Sequence, residues 1–283
     1  MKIAFLILAH KNPKQLQRLL NALQHPAFHF YIHIDTKTDA GPFKYLIDNK
    51  TVFLVNKRTK IYWAGYGTIQ ATLNGFEEIP LSNYDYVNVI SAQDFPLKPA
   101  DEIYNYIEER MGTEFITCHN FNEWPVAPRV QKYHLINWQI PGKYRLEKLL
   151  NFILPKRKFP LDYKIVGCAN WFTITTKAAQ YILDFLNKHP KVVSYFKYCW
   201  GADEFIFSTI LYNSSFKDKI ADNLIYVDWS SGKAHPKILT VDDYEAMRSS
   251  LKLFARKFDT GQSEKVLNQL DACIAAQPHT QQE

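Results

Sequence analysis

The 283-residue sequence has no apolar run of the roughly 20 residues that a membrane-spanning helix requires. The apolar residues 3–9 in "MKIAFLILAH" are followed by the polar, helix-periodic "HKNPKQLQRLLNAL" rather than by a small-residue cleavage site. This pattern favours a first buried strand over a secretory signal. We therefore expect a soluble protein, or one bound at a membrane surface.

Cysteine pairs and the common local motifs are also missing. The four cysteines lie far apart with no C-x-x-C, which argues against a structural zinc site or a disulfide framework and favours a cytoplasmic location. There is no Gly-rich dinucleotide fingerprint, Walker loop, H-E-x-x-H or G-x-S-x-G. The formal charge of +6 fits an anionic ligand or membrane surface, and no nucleic-acid-binding motif accompanies it.

What the sequence does contain is an alternation of apolar strands and amphipathic helices. "FHFYIHID", "TVFLV" and "YDYVNVISAQD" follow the first strand, separated by helical patterns such as "PKQLQRLLNAL". This order predicts an α/β fold with a mostly parallel sheet covered by helices on both faces. Ligands bind beyond the carboxyl ends of such strands, here at His10, Asp35 and residues 91–94.

We predict a single catalytic domain over 1–283. It divides into a nucleotide-binding half (1–117), an irregular insertion facing an acceptor or a membrane (118–164), a catalytic half (165–260) and a C-terminal tail (261–283).

The segment 138–159 of the insertion admits two interpretations. In "YRLEKLLNFILPKRKF", leucines and isoleucine recur at helical spacing beside Lys148, Lys156, Arg157 and Lys158. The pattern fits an amphipathic element resting on an anionic bilayer at the inner face of the membrane. It fits equally a surface helix packed on the domain and followed by a solvated basic turn.

Four motifs place polar residues beside predicted strands or helix starts: "VISAQDFPLKP", "GCANWFTIT", "ADEFIFSTIL" and "FARKFD". With "FLILAHKNPKQLQRLL" and "YIHID", in this order from about residue 3 to 260, the chain resembles the core-2/I-branching enzymes. These are inverting N-acetylglucosaminyltransferases related to the peptide xylosyltransferases. The resemblance implies a GT-A-type fold, a nucleotide-sugar donor and a β-linked product formed by a single displacement.

The resemblance also implies that no metal or other cofactor is needed. Most GT-A enzymes hold a divalent cation with an Asp-x-Asp pair, and this sequence has none. Its only Asp-x-Glu, Asp243 and Glu245, lies in a helix-like segment.

An inverting transfer needs a carboxylate that takes the proton of the acceptor hydroxyl and cations that stabilise the departing diphosphate. The resemblance assigns the catalytic base to Glu204, although a glutamate in a first helical turn is commonly a dipole partner. It assigns Lys257 to the diphosphate, with Arg256 beside it, although an Arg-Lys pair is usually a solvated surface.

A second basic residue is expected upstream of Lys257. In "WSSGKAHPKIL" the choice among Lys233, His235 and Lys237 stays open.

Further donor-site residues are expected at His10, Asp35, Trp63 and Asp94. An aspartate at a strand end also starts turns, Trp63 is equally plausible as a core residue, and Asp94 either contacts the donor sugar or caps the proline turn.

On the acceptor side we expect Asn170 and Asp203, with Trp171 stacking on a sugar ring. Buried aromatics are more often core residues.

Together these features predict an inverting, metal-independent glycosyltransferase that moves N-acetylglucosamine or xylose from a UDP-sugar to a glycan or lipid-linked glycan. The sequence lacks the anchor, stem and cysteine framework of the animal enzymes. It therefore resembles the short bacterial members, which suggests surface polysaccharide or lipopolysaccharide assembly. The alternatives are a non-catalytic carbohydrate-binding or scaffolding protein and a metal-dependent GT-A transferase.

Overall fold

A computed structural model of the chain describes residues 1–168 and 170–276. The strands are β1 (Ile3–Ala9), β2 (Phe28–Ile34), β3 (Val52–Leu54), β4 (Tyr86–Ser91), β5 (Asp94–Pro96), β6 (Glu114–Phe115), β7 (Phe172–Thr175), β8 (Ile220–Ala221), β9 (Ile225–Val227) and β10 (Phe254–Arg256). The helices are α1 (Pro13–Ala22), α2 (Gly67–Glu78), α3 (Ala100–Glu108), α4 (Pro128–Gln131), α5 (Lys143–Ile153), α6 (Thr176–Lys188), α7 (Pro190–Phe196), α8 (Ile206–Tyr212), α9 (Tyr244–Ser249) and α10 (Thr260–Ala276).

The central sheet has the strand order β3-β2-β1-β4-β7-β6-β8. Strands β1 to β4 pair in parallel, as do β6 and β8, whereas β7 runs antiparallel to both of its neighbours. All residues of β1 and β4 are buried, which explains their nearly continuous apolar sequence. The predicted α/β fold with a mostly parallel sheet flanked by helices is confirmed.

Helix α2 packs closely on β1. A Cβ atom at Gly75 would lie 2.4 Å from a methyl carbon of Leu6, so only glycine permits this approach. Helix α1 buries the leucines predicted from its period, namely Leu16, Leu19 and Leu20. Its first turn is capped by Asn12, whose side chain accepts a hydrogen bond from the Gln15 backbone N–H at 3.1 Å.

A second, three-stranded sheet has the order β5-β10-β9. Strand β5 pairs antiparallel with β10, so that Asp94 lies opposite Arg256. The Phe258 N–H also donates to the Gln93 carbonyl at 2.8 Å. This sheet brings together two motifs that are about 160 residues apart in the sequence.

The segment 261–283, predicted as a tail, is helical as far as the structure describes it. Val266, Leu267 and Leu270 of α10 are buried in the core. Arg18 of α1 donates to Asp271 of α10 at 2.7 Å. Burial of these apolar side chains makes α10 part of the domain, and residues 277–283 lie outside the described ranges.

Across the described ranges, every helix is too short or too polar to pass through a lipid bilayer.

Candidate active site

Glu204 lies at the end of a 3-10 turn, Ala202–Glu204, which follows Gly201 in a left-handed conformation (φ 63°). The backbone of residues 167 and 168 runs directly against this turn. The Cys168 N–H donates to the Glu204 carbonyl at 3.1 Å, and a Cβ atom at Gly167 would lie 2.1 Å from the same oxygen. The glycine of "GCANW" is thus needed for the close approach of the two predicted motifs.

The Glu204 carboxylate forms an ion pair with Arg129 of α4. The guanidinium also lies over two indole rings, with its carbon 4.3 Å from the ring centre of Trp200 and 5.0 Å from that of Trp124. Cation–π contacts on both rings and the ion pair hold Arg129 beside Glu204. The sequence analysis did not identify Arg129, because its segment has no recognisable motif or period.

The pKa of Glu204 is raised to about 7. Burial is the largest cause and the neighbouring Asp203 carboxylate adds to it, while Arg129 acts in the opposite direction. Asp203 itself is buried, which raises its pKa, and it accepts a hydrogen bond from the Asn170 side chain at 2.9 Å. Glu204 is therefore suited to accept a proton near neutral pH.

Asp94 is fully engaged by protein groups. Its carboxylate accepts hydrogen bonds from the backbone N–H and the hydroxyl of Ser91, both at 2.8 Å, and one oxygen lies 3.3 Å from Arg256 Nε. Both predicted roles of Asp94, contact with the donor sugar and capping of the proline turn, stay predictions. Asp94 also fixes Arg256, whose charge in turn acts on Glu204.

Trp171 does not offer a free face to an acceptor. It is only 8% exposed, and the Arg256 guanidinium carbon lies 4.7 Å from its ring centre. That Trp171 stacks on a sugar ring stays a prediction, and in this structure the Arg256 guanidinium lies over the ring. Asn170 and Asp203 meet each other through their hydrogen bond, close to Glu204.

Basic side chains gather at the carboxyl ends of β1 and β10. Burial and the charges of Arg256 and Lys11 lower the pKa of Lys257. Burial and the charges of Lys11 and Lys257 lower the pKa of His10. Lys11 pairs with Asp259 at 2.5 Å. The two lysines carry the charge here, and because they disfavour the protonated form of His10, this group of side chains favours a bound anion.

We call His10, Lys11 and Lys257 the cation cluster. Lys11 was missed in the sequence, although its position directly after the strand-end residue His10 was a signal that could have been used.

The two other donor-side predictions, Asp35 and Trp63, lie near this cluster and near Glu204 respectively. Asp35 is buried beyond the end of β2 and accepts a hydrogen bond from the Lys37 N–H at 2.9 Å. Its charge acts on His10 and partly offsets the lowering of the His10 pKa. Trp63 is 60% exposed and packs edge-on against Trp200 at 5.0 Å. It is therefore not a core residue.

The upstream basic candidates lie in the loop before Leu239, whose N–H donates to the Lys257 carbonyl at 2.9 Å. Lys237 pairs with Asp243 at 2.5 Å. Lys233 and His235 are exposed, and the choice among the three stays open.

Within residues 1–168 and 170–276, no three His, Cys, Asp or Glu side chains lie together in a way that would hold a metal ion. The described residues thus do not form a resident metal site, and no step below passes through one.

A solved structure with some similarity is Core-mannan synthase A from Aspergillus fumigatus in its Mn/GDP form. The two share 12% identity with a TM-score of 0.41, over 78% of this chain and 72% of that one. That structure holds manganese, which stands against the prediction that no metal takes part, and we do not carry that prediction further. A similarity of this size assigns neither a donor nor a mechanism to this chain.

Several relatives are similar over nearly all of this chain. Xylosyltransferase oxt of Drosophila melanogaster is 24% identical over 95% of this chain and 33% of its own length. Xylosyltransferase 1 of Rattus norvegicus is 22% identical over 96% and 35%, and beta-glucuronosyltransferase GlcAT14B of Arabidopsis thaliana is 25% identical over 98% and 67%. The chain spans about a third of the length of these xylosyltransferases. Residues 3–249 match the family model for the Core-2/I-Branching enzyme, and the chain therefore belongs to that family.

Proposed function

We propose that the chain is a glycosyltransferase of GT-A type that moves a sugar from a UDP-sugar to a hydroxyl of a glycan acceptor with inversion. UDP-N-acetylglucosamine and UDP-xylose are the candidate donors. Family membership and the named transferases among the relatives support the reaction class. The parallel strands, with polar residues after their carboxyl ends, support a nucleotide site at that edge of the sheet.

The observation that carries the proposal is the position of the Glu204 carboxylate, with its pKa of about 7, relative to the cation cluster. The adjacent residues Arg256 and Lys257 connect the two. Arg256 acts on Glu204, and its neighbour Lys257 acts on His10. An inverting displacement needs these two environments on opposite sides of the anomeric carbon, one for the acceptor hydroxyl and one for the diphosphate leaving group.

In the proposed reaction, the acceptor oxygen attacks the anomeric carbon as the bond from that carbon to the diphosphate breaks. The acceptor proton passes to Glu204, and UDP leaves against Lys257, His10 and Lys11. Asp35 lies where the nucleotide would be held, and the exposed ring of Trp63 lies on the Glu204 side. We place the reaction in the assembly of a bacterial surface polysaccharide or lipopolysaccharide at the cytoplasmic face of the membrane.

Two substitutions test the proposal. Glu204→Gln removes the base, so we expect transfer to fall by about 10²-fold or more, while calorimetric titration gives an unchanged affinity for UDP. Lys257→Met should weaken UDP binding by about tenfold or more, since it removes a charge from the diphosphate site. Lys191→Met, on the exposed side of α7, is the matched control and should leave UDP affinity unchanged.

All titrations are made with and without manganese. Undiminished transfer by Glu204→Gln would contradict the role of the base. Failure of the wild-type protein to bind UDP or a UDP-sugar in either buffer would favour a non-catalytic carbohydrate-binding protein.

A further inference from the structure

Helix α5 is attached to the domain by its polar side. The Glu147 carboxylate contacts His134 Nδ1 at 3.1 Å and accepts from the Leu135 N–H at 2.9 Å. The Asn151 side chain accepts from the Tyr133 N–H and donates to the Tyr133 carbonyl, both at 2.8 Å. No residue of α5 is buried, so the helix lies on the surface. The Asn151 amide and the Glu147 carboxylate face the domain.

The opposite side of α5 is apolar and exposed. Phe152 is 87% exposed and Ile153 66%, with Leu149 between them and Arg145 on the same face. Other apolar side chains of the same segment are also exposed: Trp138, Ile140, Tyr144, Leu146 and Leu154. The arrangement reverses that of an ordinary surface helix, whose apolar stripe faces the core.

The segment 138–158 also accounts for most of the net positive charge of the chain. Residues 138–158 contain six Lys and Arg residues and one acidic residue, Glu147, while the formal charge of the whole chain is +6. Four of the six are exposed, namely Arg145, Lys148, Lys156 and Lys158. The single acidic side chain is occupied by His134 and Leu135 and leaves this charge uncompensated.

We propose that this face of residues 138–158, here called the α5 surface, docks on an anionic lipid bilayer. An exposed apolar stripe flanked by Lys and Arg matches a helix lying in a membrane interface, where the apolar side chains enter the acyl boundary and the cations meet the headgroups. A second copy of the chain fits less well, since two such surfaces would bring like charges together. Docking at this surface does not depend on the proposed activity.

The α5 surface is connected to the candidate active site through the segment 128–135. Arg129, the partner of Glu204, belongs to α4, and His134 Nε2 lies 3.2 Å from the Pro128 carbonyl. The Arg157 N–H donates to the Gln131 carbonyl at 2.8 Å on the other side of the same segment. A docked α5 therefore holds the Arg129 side of the site near the bilayer.

The test is co-sedimentation of the full chain with vesicles. We expect binding to vesicles of phosphatidylcholine with phosphatidylglycerol, little binding to phosphatidylcholine alone, and weaker binding at high salt. The double variant Phe152→Ser, Ile153→Ser should lower the partition coefficient by about tenfold or more, because it removes the apolar insertion. Lys148→Glu with Lys156→Glu should lower it by a similar factor on the anionic vesicles.

Leu251→Ser is the matched control. Leu251 is 91% exposed in a loop away from α5, so its loss should leave vesicle binding unchanged. Circular dichroism checks that each variant folds. The proposal is overturned by equal sedimentation of the wild type and the Phe152, Ile153 variant. It is also overturned if the wild type does not bind vesicles and forms a dimer in light scattering that the Phe152, Ile153 variant does not form. That outcome would assign the α5 surface to contact with a second copy of the chain.

Discussion

At the level of single residues, the pKa of Glu204 is raised chiefly by burial and is adjusted by two charged neighbours that act in opposite directions. Asp203 raises the pKa of Glu204 through carboxylate repulsion, and Arg129 lowers it through the ion pair. Burial alone would shift the pKa upward, and the balance of the two charges leaves it at about 7.

This balance predicts the pH dependence of transfer. Because the base must be deprotonated, kcat/KM should rise with pH through about 7 and then level off. Asp203→Asn removes a cause that raises the pKa, so its midpoint should move to lower pH. Arg129→Gln removes a cause that lowers it, so its midpoint should move to higher pH. Glu264→Gln, on the exposed side of α10, serves as control, and coincident midpoints in all four proteins would refute the assignment.

Glu204 and Lys257 were singled out because their motifs resemble those of the family, and their roles stay predictions. The sequence did not allow Arg129 to be found, since its partner is 75 residues away and only the packing of α4 against the 3-10 turn brings them together. The contact between Trp171 and Arg256 could not be predicted for a related reason. An aromatic residue in a polar motif gives no indication of which side chain will cover its ring, and here it is Arg256.

At the level of elements, the 3-10 turn that carries Glu204 is positioned by the backbone of residues 167 and 168. The turn has no side-chain cap of its own. Its carbonyl oxygen at Glu204 accepts from the Cys168 N–H, and the absence of a side chain at Gly167 makes room for this contact.

Gly167→Ala should therefore move Glu204 away from Arg129. The added methyl group would lie 2.1 Å from the Glu204 carbonyl oxygen, so the backbone at residue 167 or at Glu204 would have to move. We expect transfer to fall by about tenfold or more, in line with the cost of a misplaced catalytic group. Gly261→Ala is the control, because a Cβ there comes no closer than 3.6 Å to its neighbours. The transfer rates of both variants test this prediction, and a UDP titration checks that each variant is folded. Equal rates for Gly167→Ala and Gly261→Ala would contradict it.

Periodicity predicted strands β1, β2, β3 and β4 and the helices between them, since buried parallel strands and amphipathic helices have distinct patterns. It predicted α5 as amphipathic but could not say which side faces the domain. The hydrogen bonds of Glu147 and Asn151 decide that, and their partners lie in the irregular segment 133–135. The segment 261–283 was set apart as a tail because its sequence does not show that Val266, Leu267 and Leu270 of α10 pack in the core.

At the level of the whole molecule, two buried groups give opposite contributions to the pH dependence of stability. His33 in β2 is fully buried, accepts from the Thr59 N–H at 2.9 Å, and has a pKa lowered to about 4, chiefly by burial. Between pH 4 and 6.5 the unfolded chain binds a proton at His33 that the folded chain does not. Its contribution to stability is therefore lost as the pH falls through this window.

Glu204 acts in the other sense. Its pKa rises from 4.5 to about 7 on folding, so the folded chain retains a proton that the unfolded chain releases, and stability falls as the pH rises through that window. The two effects overlap between pH 4.5 and 6.5 and oppose each other.

His33→Gln should separate these contributions. The amide oxygen can still accept from Thr59, but the side chain no longer titrates. The difference in unfolding free energy between the wild type and the variant should then change by about 3 kcal/mol between acidic and neutral pH, as a shift of this size implies. Urea denaturation across this pH range measures it, with the exposed His235→Gln as control. A pH-independent difference would show that His33 titrates normally in the folded chain.

The indole rings beside Glu204 also give the protein a built-in optical reporter. Trp63 and Trp200 meet edge to face at 5.0 Å, and the guanidinium of Arg129 lies between Trp200 and Trp124. Indoles at this separation couple their electronic transitions, and a cation over the ring perturbs their emission. Three of the six tryptophans of the chain belong to this group. A ligand that draws Arg129 away from Glu204 would therefore change fluorescence and circular dichroism without any label.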